Sequence, residues 1–349
     1  MALSPATASN IRTLTDAGTT VRVACAADDN YAMPLAVTLF SAAKNLEPGF
    51  DLEVYLLNGN ISDDNRTRLL DSLSGLPVKV NWVEEDFSLL DELHISHHIS
   101  HVAYYRLLLS RILPKDLDRV LYLDSDLLVL GSLADIWDLS FAESPCYAVP
   151  DVACPVIDAG VVSRSRQARP YLATLRPIPN YRQLGISAEA AYFNSGVMLI
   201  DLAAWRSEKL CQRFVDCLRE NRKHVWCWDQ YALNVVLAEN WSPLPLQWNQ
   251  GAHAFEFPSE SHSPFDPDEF ISMRDNPKIV HFTTEWKPWQ FGNKHPYRAA
   301  FFEMLDQTSW AGWRPERLNF SVVRWWQNRA TGIRKKAKIT YLKVANVLN

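Results

Sequence analysis

Glycine is scarce in this chain, with only 12 among 349 residues, against an average of about 7%. The two glycines that lie closest together, Gly49 and Gly59, are ten positions apart. This spacing excludes the dinucleotide fingerprint G-x-G-x-x-G and the phosphate loop G-x-x-x-x-G-K. It also excludes the nucleophile elbow G-x-S-x-G. If the protein handles phosphate, a metal ion and fixed side chains must do most of the binding.

Three further absences in the sequence predict a cytoplasmic location. The chain has no apolar run of the roughly 18 residues that a membrane-spanning helix needs. Its first 20 residues lack a basic segment followed by an apolar stretch, so no secretory signal is expected. The six cysteines form no C-x-x-C pair and show no zinc-module spacing. Buried free thiols in a reducing cytoplasm are therefore the expectation.

Basic residues are concentrated at the C-terminal end. Residues 314–349 contain nine Lys/Arg and one acidic residue, whereas the rest of the chain contains 26 basic and 39 acidic residues. The acidic body argues against a nucleic-acid enzyme. The tail also carries Trp325 and Trp326, which favours binding at the inner face of an anionic membrane; a helix packed on the body is the alternative. We expect an N-terminal extension over 1–20, a catalytic body over 21–313 and this tail over 314–349.

Apolar runs alternate with segments of helical periodicity in the first part of the chain. Residues 21–28, 50–60 and 77–86 predict strands, and residues 34–46 and 63–73 predict helices, the second capped by Ser62. This order predicts an α/β fold with a mostly parallel central sheet flanked by helices. Later in the chain, residues 103–113 predict a helix, and residues 192–205, 245–249 and 278–282 predict three more strands. The irregular stretch from 152 to about 185 is expected to form a lid or a docking surface.

The segment Asp124-Ser125-Asp126 interrupts a long apolar run, VLYL before it and LLVL after it. Buried carboxylates are expensive unless a counter-charge accompanies them. On an extended strand the side chains at i and i+2 point the same way, so both carboxylates reach one cation. Such oxygen ligands suit Mg²⁺ or Mn²⁺. In the alternative interpretation the strand ends at Asp124 and the two aspartates cap a turn.

Two other polar segments are candidates for ligand binding. AADDNY (26–31) follows the first predicted strand, at the sheet edge where parallel sheets bind ligands. There Asp28 would accept from a nucleobase N–H and Asn30 would bond a ribose hydroxyl, although a helix-capping loop is equally consistent. In HFTTEWKPW (281–289), His281 is a candidate metal ligand and Lys287 a candidate phosphate contact. A structural histidine is the alternative.

These segments, together with AYYRL (103–107), YFNSGVMLIDLAAWR (192–206) and WDQYALN (228–234), resemble glycosyltransferase family 8. This retaining family includes lipooligosaccharide galactosyltransferases, lipopolysaccharide glucosyl- and galactosyltransferases, and glycogenin. The segments occur in family order and span about residues 21 to 310. The resemblance implies a GT-A nucleotide-diphospho-sugar transferase fold over residues 21–313. It also implies metal-dependent transfer of galactose or glucose from a UDP-sugar to a hydroxyl of a saccharide or glycolipid, with Mn²⁺ or Mg²⁺ as the cofactor.

The resemblance also assigns roles to single residues. Three match the metal ligands of the family: Asp124, Asp126 and His281. Those matched to the nucleotide and diphosphate are Ala26, Asp28, Asn30, Ser125 and Lys287. Those matched to the surroundings of the donor sugar are Arg106, Asp151, Asn194, Ser195 and Asp229, with Gln230 nearest the reacting face of the anomeric carbon. Thr284 stands where family members often have glycine, and its hydroxyl is expected to substitute at the diphosphate.

The predicted catalytic set is Asp151, Asp229 and Gln230. None of these is clearly placed as the nucleophile of a retaining hydrolase, and an amide is a poor nucleophile. We therefore expect the acceptor hydroxyl to attack from the face that the diphosphate leaves. Two other hypotheses remain open at this point: a D-x-D phosphatase acting on a phosphomonoester, and a nucleotide-sugar-binding protein without transfer activity.

Overall fold

The computed structural model describes residues 20–90, 93, 101–141 and 144–316. The predictions for the N-terminal extension and for most of the basic tail concern residues outside these ranges. Every helix in the described part of the chain is too short or too polar to cross a bilayer.

Strands and helices alternate along the described chain. The strands are β1 Thr20–Asp28, β2 Asp51–Gly59, β3 Val78–Val83, β4 Arg119–Leu123, β5 Leu127–Val129, β6 Cys146–Pro150, β7 Phe193–Asp201, β8 Ser242–Pro243, β9 Gln250–Gly251 and β10 Ile279–His281. The α-helices are α1 Ala32–Lys44, α2 Asp63–Ser72, α3 Leu109–Ile112, α4 Ala134–Trp137, α5 Leu202–Ser207, α6 Leu210–Glu220, α7 Trp228–Val236, α8 Pro267–Asp275 and α9 Arg298–Leu305.

Seven strands form a central sheet in the order β3-β2-β1-β4-β7-β6-β8. Strands β1 to β4 pair in parallel, and β6 pairs in parallel with β8. Strand β7 runs antiparallel to both of its neighbours. The predicted mostly parallel sheet is therefore confirmed. A smaller sheet has the order β5-β10-β9, with β10 antiparallel to β5 and parallel to β9.

The core lies on both faces of the central sheet. On β1, Val23 and Cys25 pack into one apolar layer, while Ala24 and Ala26 pack into the other. Alternate residues of a strand point to opposite faces, so a strand buried on both sides reads as a continuous apolar run. This explains why β1 shows no polar alternation in the sequence.

Local chemistry confirms some element boundaries and corrects others. The Ser62 hydroxyl accepts from the amide of Asn65, as predicted for the cap of α2. The strand predicted to run to residue 205 ends at Asp201, because the Asp201 carboxylate accepts from the amide of Ala204 and caps α5. The strand predicted over 245–249 is wrong: Leu246–Asn249 is a 3-10 turn. Pro245, which precedes that turn, has no N–H for a sheet ladder.

The helix predicted over 103–113 is mostly a 3-10 helix, His101–Leu108, followed by the short α3. Its residues Val102 and Arg106 are buried against the end of the central sheet. This element therefore contributes to the wall of the site rather than to an outer layer.

His295 gives the fold a testable dependence on pH. Burial among aromatic rings, including Phe255 and Phe282, lowers the pKa of His295 from 6.5 to about 4. Between these values the unfolded chain binds one proton more than the folded chain, so the free energy of unfolding falls on acidification. We expect the contribution to reach about 3 kcal/mol, at 1.36 kcal/mol per pKa unit. Denaturant unfolding of the wild type and His295→Phe from neutral pH to pH 4 measures it. Parallel stability curves for the two proteins would contradict the expectation.

Candidate active site

The D-x-D segment forms the turn that joins the two sheets. Strand β4 ends at Leu123 and β5 begins at Leu127, so the prediction of one strand running through both aspartates is wrong. The Asp124 amide donates to the Gly196 carbonyl at 2.9 Å, and the Phe282 amide donates to the Asp126 carbonyl at 3.1 Å. These bonds hold the turn between β7 and the end of β10. Both carboxylates still point to one side because the turn is fixed at both ends.

His281 lies at the end of β10 and faces both carboxylates. Its Nε2 is 3.2 Å from Asp126 Oδ1 and 3.5 Å from Asp124 Oδ2. One ligand atom from each of the three residues lies within 4.8 Å of the others. Two carboxylates and one imidazole nitrogen suit Mn²⁺, and also Mg²⁺ when waters and phosphate oxygens complete the shell. The residues present therefore fit the predicted metal ion.

Gly196 on β7 makes the space in which these ligands converge. A Cβ at this position would lie 2.3 Å from His281 Cε1 and 2.8 Å from Asp124 Oδ2. Real Cβ atoms do not approach other atoms this closely, so any side chain would displace the imidazole or the carboxylate. Gly196 lies inside the segment YFNSGVMLIDLAAWR, but no local pattern indicates its role, because its partners come from the turn after β4 and from β10.

Arg106 is the buried cation behind the metal cluster. Its Nη2 donates to Asp124 Oδ1 at 2.7 Å, and its Nε lies 3.1 Å from Asp229 Oδ2. Its Nη1 donates to the Ser195 carbonyl at 2.8 Å. Burial alone would lower the pKa of Arg106, but the two carboxylates outweigh it and hold the pKa above its ordinary value. Burial also raises the pKa of Asp229, and Arg106 opposes that rise.

Lys287 is the second buried cation of the site. Its Nζ donates to Asp126 Oδ2 at 2.6 Å and to the Phe282 carbonyl. Burial disfavours the ammonium, yet the attraction of Asp126 raises the pKa of Lys287 above its ordinary value. Burial also disfavours the Asp126 carboxylate, and the Lys287 ammonium outweighs it, so the pKa of Asp126 falls well below its usual range. The pair therefore stays ionised in the protein interior.

A cavity of about 330 Å³ opens on this cluster from the end of β1. Its wall includes these residues predicted for nucleotide or diphosphate binding: Ala26, Asp28, Ser125, Thr284 and Lys287. Asn30 does not line the cavity; its backbone amide donates to Asp28 Oδ1 at 3.0 Å, which is the capping geometry of the alternative interpretation. The Thr284 hydroxyl donates to the Trp286 carbonyl at 3.2 Å. Its proton therefore forms a hydrogen bond within the loop and does not point to a diphosphate in this arrangement.

A second cavity, of about 170 Å³, shares Thr283 with the first. Asp151, Asn194 and Gln230 line it. Asp151 Oδ2 accepts from Gln230 Nε2 at 2.8 Å and from Asn194 Nδ2 at 3.2 Å, and its Oδ1 accepts from the Ala153 amide at 2.7 Å. The irregular stretch after β6 supplies further wall residues, so it folds over this cavity: Val152, Ala153, Cys154, Ala173 and Thr174.

The predicted residues of the donor-sugar region also form a connected group. The Ser195 hydroxyl donates to Asp229 Oδ2 at 3.0 Å, and the Ser195 amide donates to Gln230 Oε1 at 3.0 Å. Because Gln230 also donates to Asp151, its amide is held at both ends. Strand β7 and the start of α7 thus bring together side chains that lie far apart in the sequence.

Comparison with known proteins places this geometry in a family. Residues 22–292 match the model of glycosyl transferase family 8. General stress protein A of Bacillus subtilis (strain 168) is 29% identical over 291 residues, which cover 82% of this chain and 93% of that protein. Lipopolysaccharide 1,3-galactosyltransferase of Salmonella typhimurium is 22% identical over 293 residues, which cover 83% of this chain and 79% of that enzyme.

A crystal structure of the galactosyltransferase LgtC, in complex with donor and acceptor sugar analogues, superposes with a TM-score of 0.67 at 23% identity. The match covers 86% of this chain and 99% of that one. This similarity shows that the described fold is the GT-A fold implied by the sequence resemblance.

Gly196→Ala tests the crowding around the metal cluster. The added methyl group would push against the His281 ring and the Asp124 carboxylate, so we expect Mn²⁺ affinity to fall by about tenfold or more, with destabilisation of about 1–3 kcal/mol. Isothermal titration with Mn²⁺ and thermal unfolding measure the two effects.

The matched control is Gly131→Ala. The three atoms nearest to its Cβ all belong to the Lys278 side chain, whose flexible end can swing away while its Cβ, 3.1 Å distant, must shift by a few tenths of an ångström. None of these atoms belongs to the metal cluster, so Mn²⁺ affinity is expected to stay at the wild-type value. Equal Mn²⁺ affinity in Gly196→Ala and the wild type would show that the cluster tolerates the methyl group, contrary to the expectation.

Proposed function

Because the chain belongs to glycosyl transferase family 8, we propose that it transfers galactose or glucose from a UDP-sugar to a hydroxyl of a saccharide or glycolipid. The observation that carries this proposal is the Asp-Asp-His cluster, whose two carboxylates line the larger cavity. The smaller cavity adjoins the larger one at Thr283. The larger cavity, of about 330 Å³, is the one we assign to the nucleotide, and the smaller is lined by polar groups suited to a sugar. The similarity to lipopolysaccharide 1,3-galactosyltransferase supports a glycolipid acceptor.

The leaving diphosphate would be bound by charge. Asp124, Asp126 and His281 would hold the metal ion, which supplies a Lewis acid for the departing phosphate oxygens. Lys287 places a second positive charge at the same end of the larger cavity. Its burial strengthens the attraction, because charges interact more strongly away from water. Asp28, which also lines this cavity, would accept from the uracil N–H.

The donor sugar would bind in the smaller cavity. Asp151, Asn194 and Gln230 offer it carboxylate and amide groups that their neighbours hold in place. Each oxygen of Asp151 already accepts hydrogen bonds, and Asp229 is paired with Arg106. These contacts make both carboxylates poor nucleophiles.

We infer that the acceptor hydroxyl attacks directly. Its oxygen bonds to the anomeric carbon on the face from which the diphosphate departs, and the bond from that carbon to the phosphate oxygen breaks. The hydroxyl proton passes to the departing phosphate. The anomeric configuration is retained because the new bond forms on the face where the old one breaks.

The basic tail completes this proposal. Residues 314–349 would hold the protein on an anionic membrane surface, where a glycolipid acceptor is presented. The residues after 316 lie outside the described structure, so this part of the proposal rests on their sequence alone. Residues 21–313 would form the catalytic unit.

Donor selection and metal dependence can be tested together. We expect UDP-galactose or UDP-glucose to raise the melting temperature with Mn²⁺ present, and the protein to hydrolyse the stabilising donor slowly. Asp126→Asn removes one ligand charge and should abolish both the stabilisation and the hydrolysis. Preferential cleavage of phosphomonoesters would indicate the phosphatase hypothesis. Donor binding with no turnover, even when saccharide acceptors are supplied, would indicate a binding protein.

Direct attack predicts that no covalent sugar adduct accumulates. Mass spectrometry of the protein quenched during turnover of a 2-fluoro UDP-hexose should show only the unmodified chain. A hexose mass on Asp151, Asp229 or Gln230 would instead establish a double-displacement reaction. Gln230→Glu, which supplies a carboxylate at the reacting face, is the positive control for detecting such an adduct.

A further inference from the structure

A chain of hydrogen bonds runs from the smaller cavity to the nitrogen of His281 that points away from the metal cluster. His281 Nδ1 lies 2.8 Å from Asn249 Oδ1. Asn249 Nδ2 donates to Asn194 Oδ1 at 2.9 Å, and Asn194 Nδ2 donates to Asp151 Oδ2 at 3.2 Å. Asn249 and His281 are only 3% and 4% exposed, so their hydrogen bond lies away from bulk water.

The direction of each bond in this chain is fixed by a backbone group. Asn194 Oδ1 accepts from the Gly196 amide at 3.0 Å, and a backbone N–H can only donate. Asn194 must therefore present its oxygen to Asn249, whose NH₂ group turns toward it. That arrangement leaves the Asn249 oxygen facing His281, and an amide oxygen can only accept.

The proton on His281 therefore belongs on Nδ1. The lone pair of Nε2 is then free to face Asp124 and Asp126, which is the state of histidine that binds a metal ion. Without Asn249, the ring has a competing arrangement in which Nε2 carries the proton and donates it to Asp126, 3.2 Å away. A metal ion would first have to displace that proton.

We propose that Asn249 is a positioning residue that keeps the His281 proton on Nδ1 and so prepares Nε2 for the metal ion. The inference rests on the proposed metal-dependent function. Asn194 connects this arrangement to the smaller cavity, because the amide that orients Asn249 also contacts Asp151. Asn249 lines the smaller cavity and not the larger one, and it contacts the metal cluster through His281 Nδ1.

The test compares two substitutions of Asn249 that both remove the donor to Asn194, and of which only one keeps an acceptor for His281. Asn249→Leu keeps the branch at Cγ but has no acceptor, and we expect its Mn²⁺ affinity to fall about 10- to 100-fold. Asn249→Asp keeps an acceptor for Nδ1–H, so its affinity should stay close to the wild-type value or exceed it. The electron paramagnetic resonance signal of unbound Mn²⁺ measures the affinity of each protein directly, without any turnover.

A second readout follows the proton itself. Long-range ¹H–¹⁵N spectra of the metal-free protein, with the His281 signals assigned by their loss in His281→Gln, should show a protonated Nδ1 in the wild type and in Asn249→Asp. In Asn249→Leu the proton should move to Nε2. A merely structural role for Asn249 would leave this pattern unchanged.

Asn58→Leu is the matched control for loss of a buried asparagine. Asn58 donates to Glu84 and accepts from the Ile61 amide, and it lines neither cavity, so its loss should leave Mn²⁺ affinity unchanged. Wild-type affinity in Asn249→Leu, or an unprotonated Nδ1 in the wild type, would overturn the inference. Absence of Mn²⁺ binding by the wild type would instead reject the proposed function, and the wild-type spectrum would still decide the position of the proton.

Discussion

The site depends on a balance of buried charges. Three carboxylates, those of Asp124, Asp126 and Asp229, share the interior with the cations of Arg106 and Lys287. Each ion would be costly to bury alone, and removal of one partner leaves another uncompensated. Among these five groups one negative charge is left over. A divalent cation and the diphosphate of a donor carry opposite charges, so their joint binding would add almost no net charge to the site. The same residues would contact both.

Much of the fold follows from local patterns in the sequence. The first three strands and the first two helices are predicted close to their observed bounds, because each has its own periodicity and Ser62 marks the start of α2. The D-x-D segment and His281 are also recognisable in the sequence, since charge inside an apolar run and a histidine at the end of one are local features. Their shared location is a consequence of the GT-A topology, which the family resemblance supplied.

Other features depend on contacts that no local pattern contains. The turn at Asp124 was predicted as a strand because the sequence does not show that β4 and β5 belong to different sheets. Gly196 and Asn249 matter only because β7 and the 3-10 turn before β9 bring them to His281. In the sequence Arg106 is one polar residue of a predicted helix. Its ion pairs with Asp124 and Asp229 form only because the 3-10 helix packs against the sheet.

The wall of the smaller cavity combines residues of irregular chain with the polar group formed by Asp151, Asn194 and Gln230. Ala173, Thr174 and His253 line it from irregular chain and a 3-10 turn, whereas the metal-facing groups come from the sheet edges. If the smaller cavity holds the donor sugar, as we propose, substitutions in those loops would change the shape offered to it while the charged centre keeps its geometry. The architecture thus allows donor or acceptor specificity to change through substitutions in these loops. It makes these three positions the place to begin directed evolution of the protein's sugar preference.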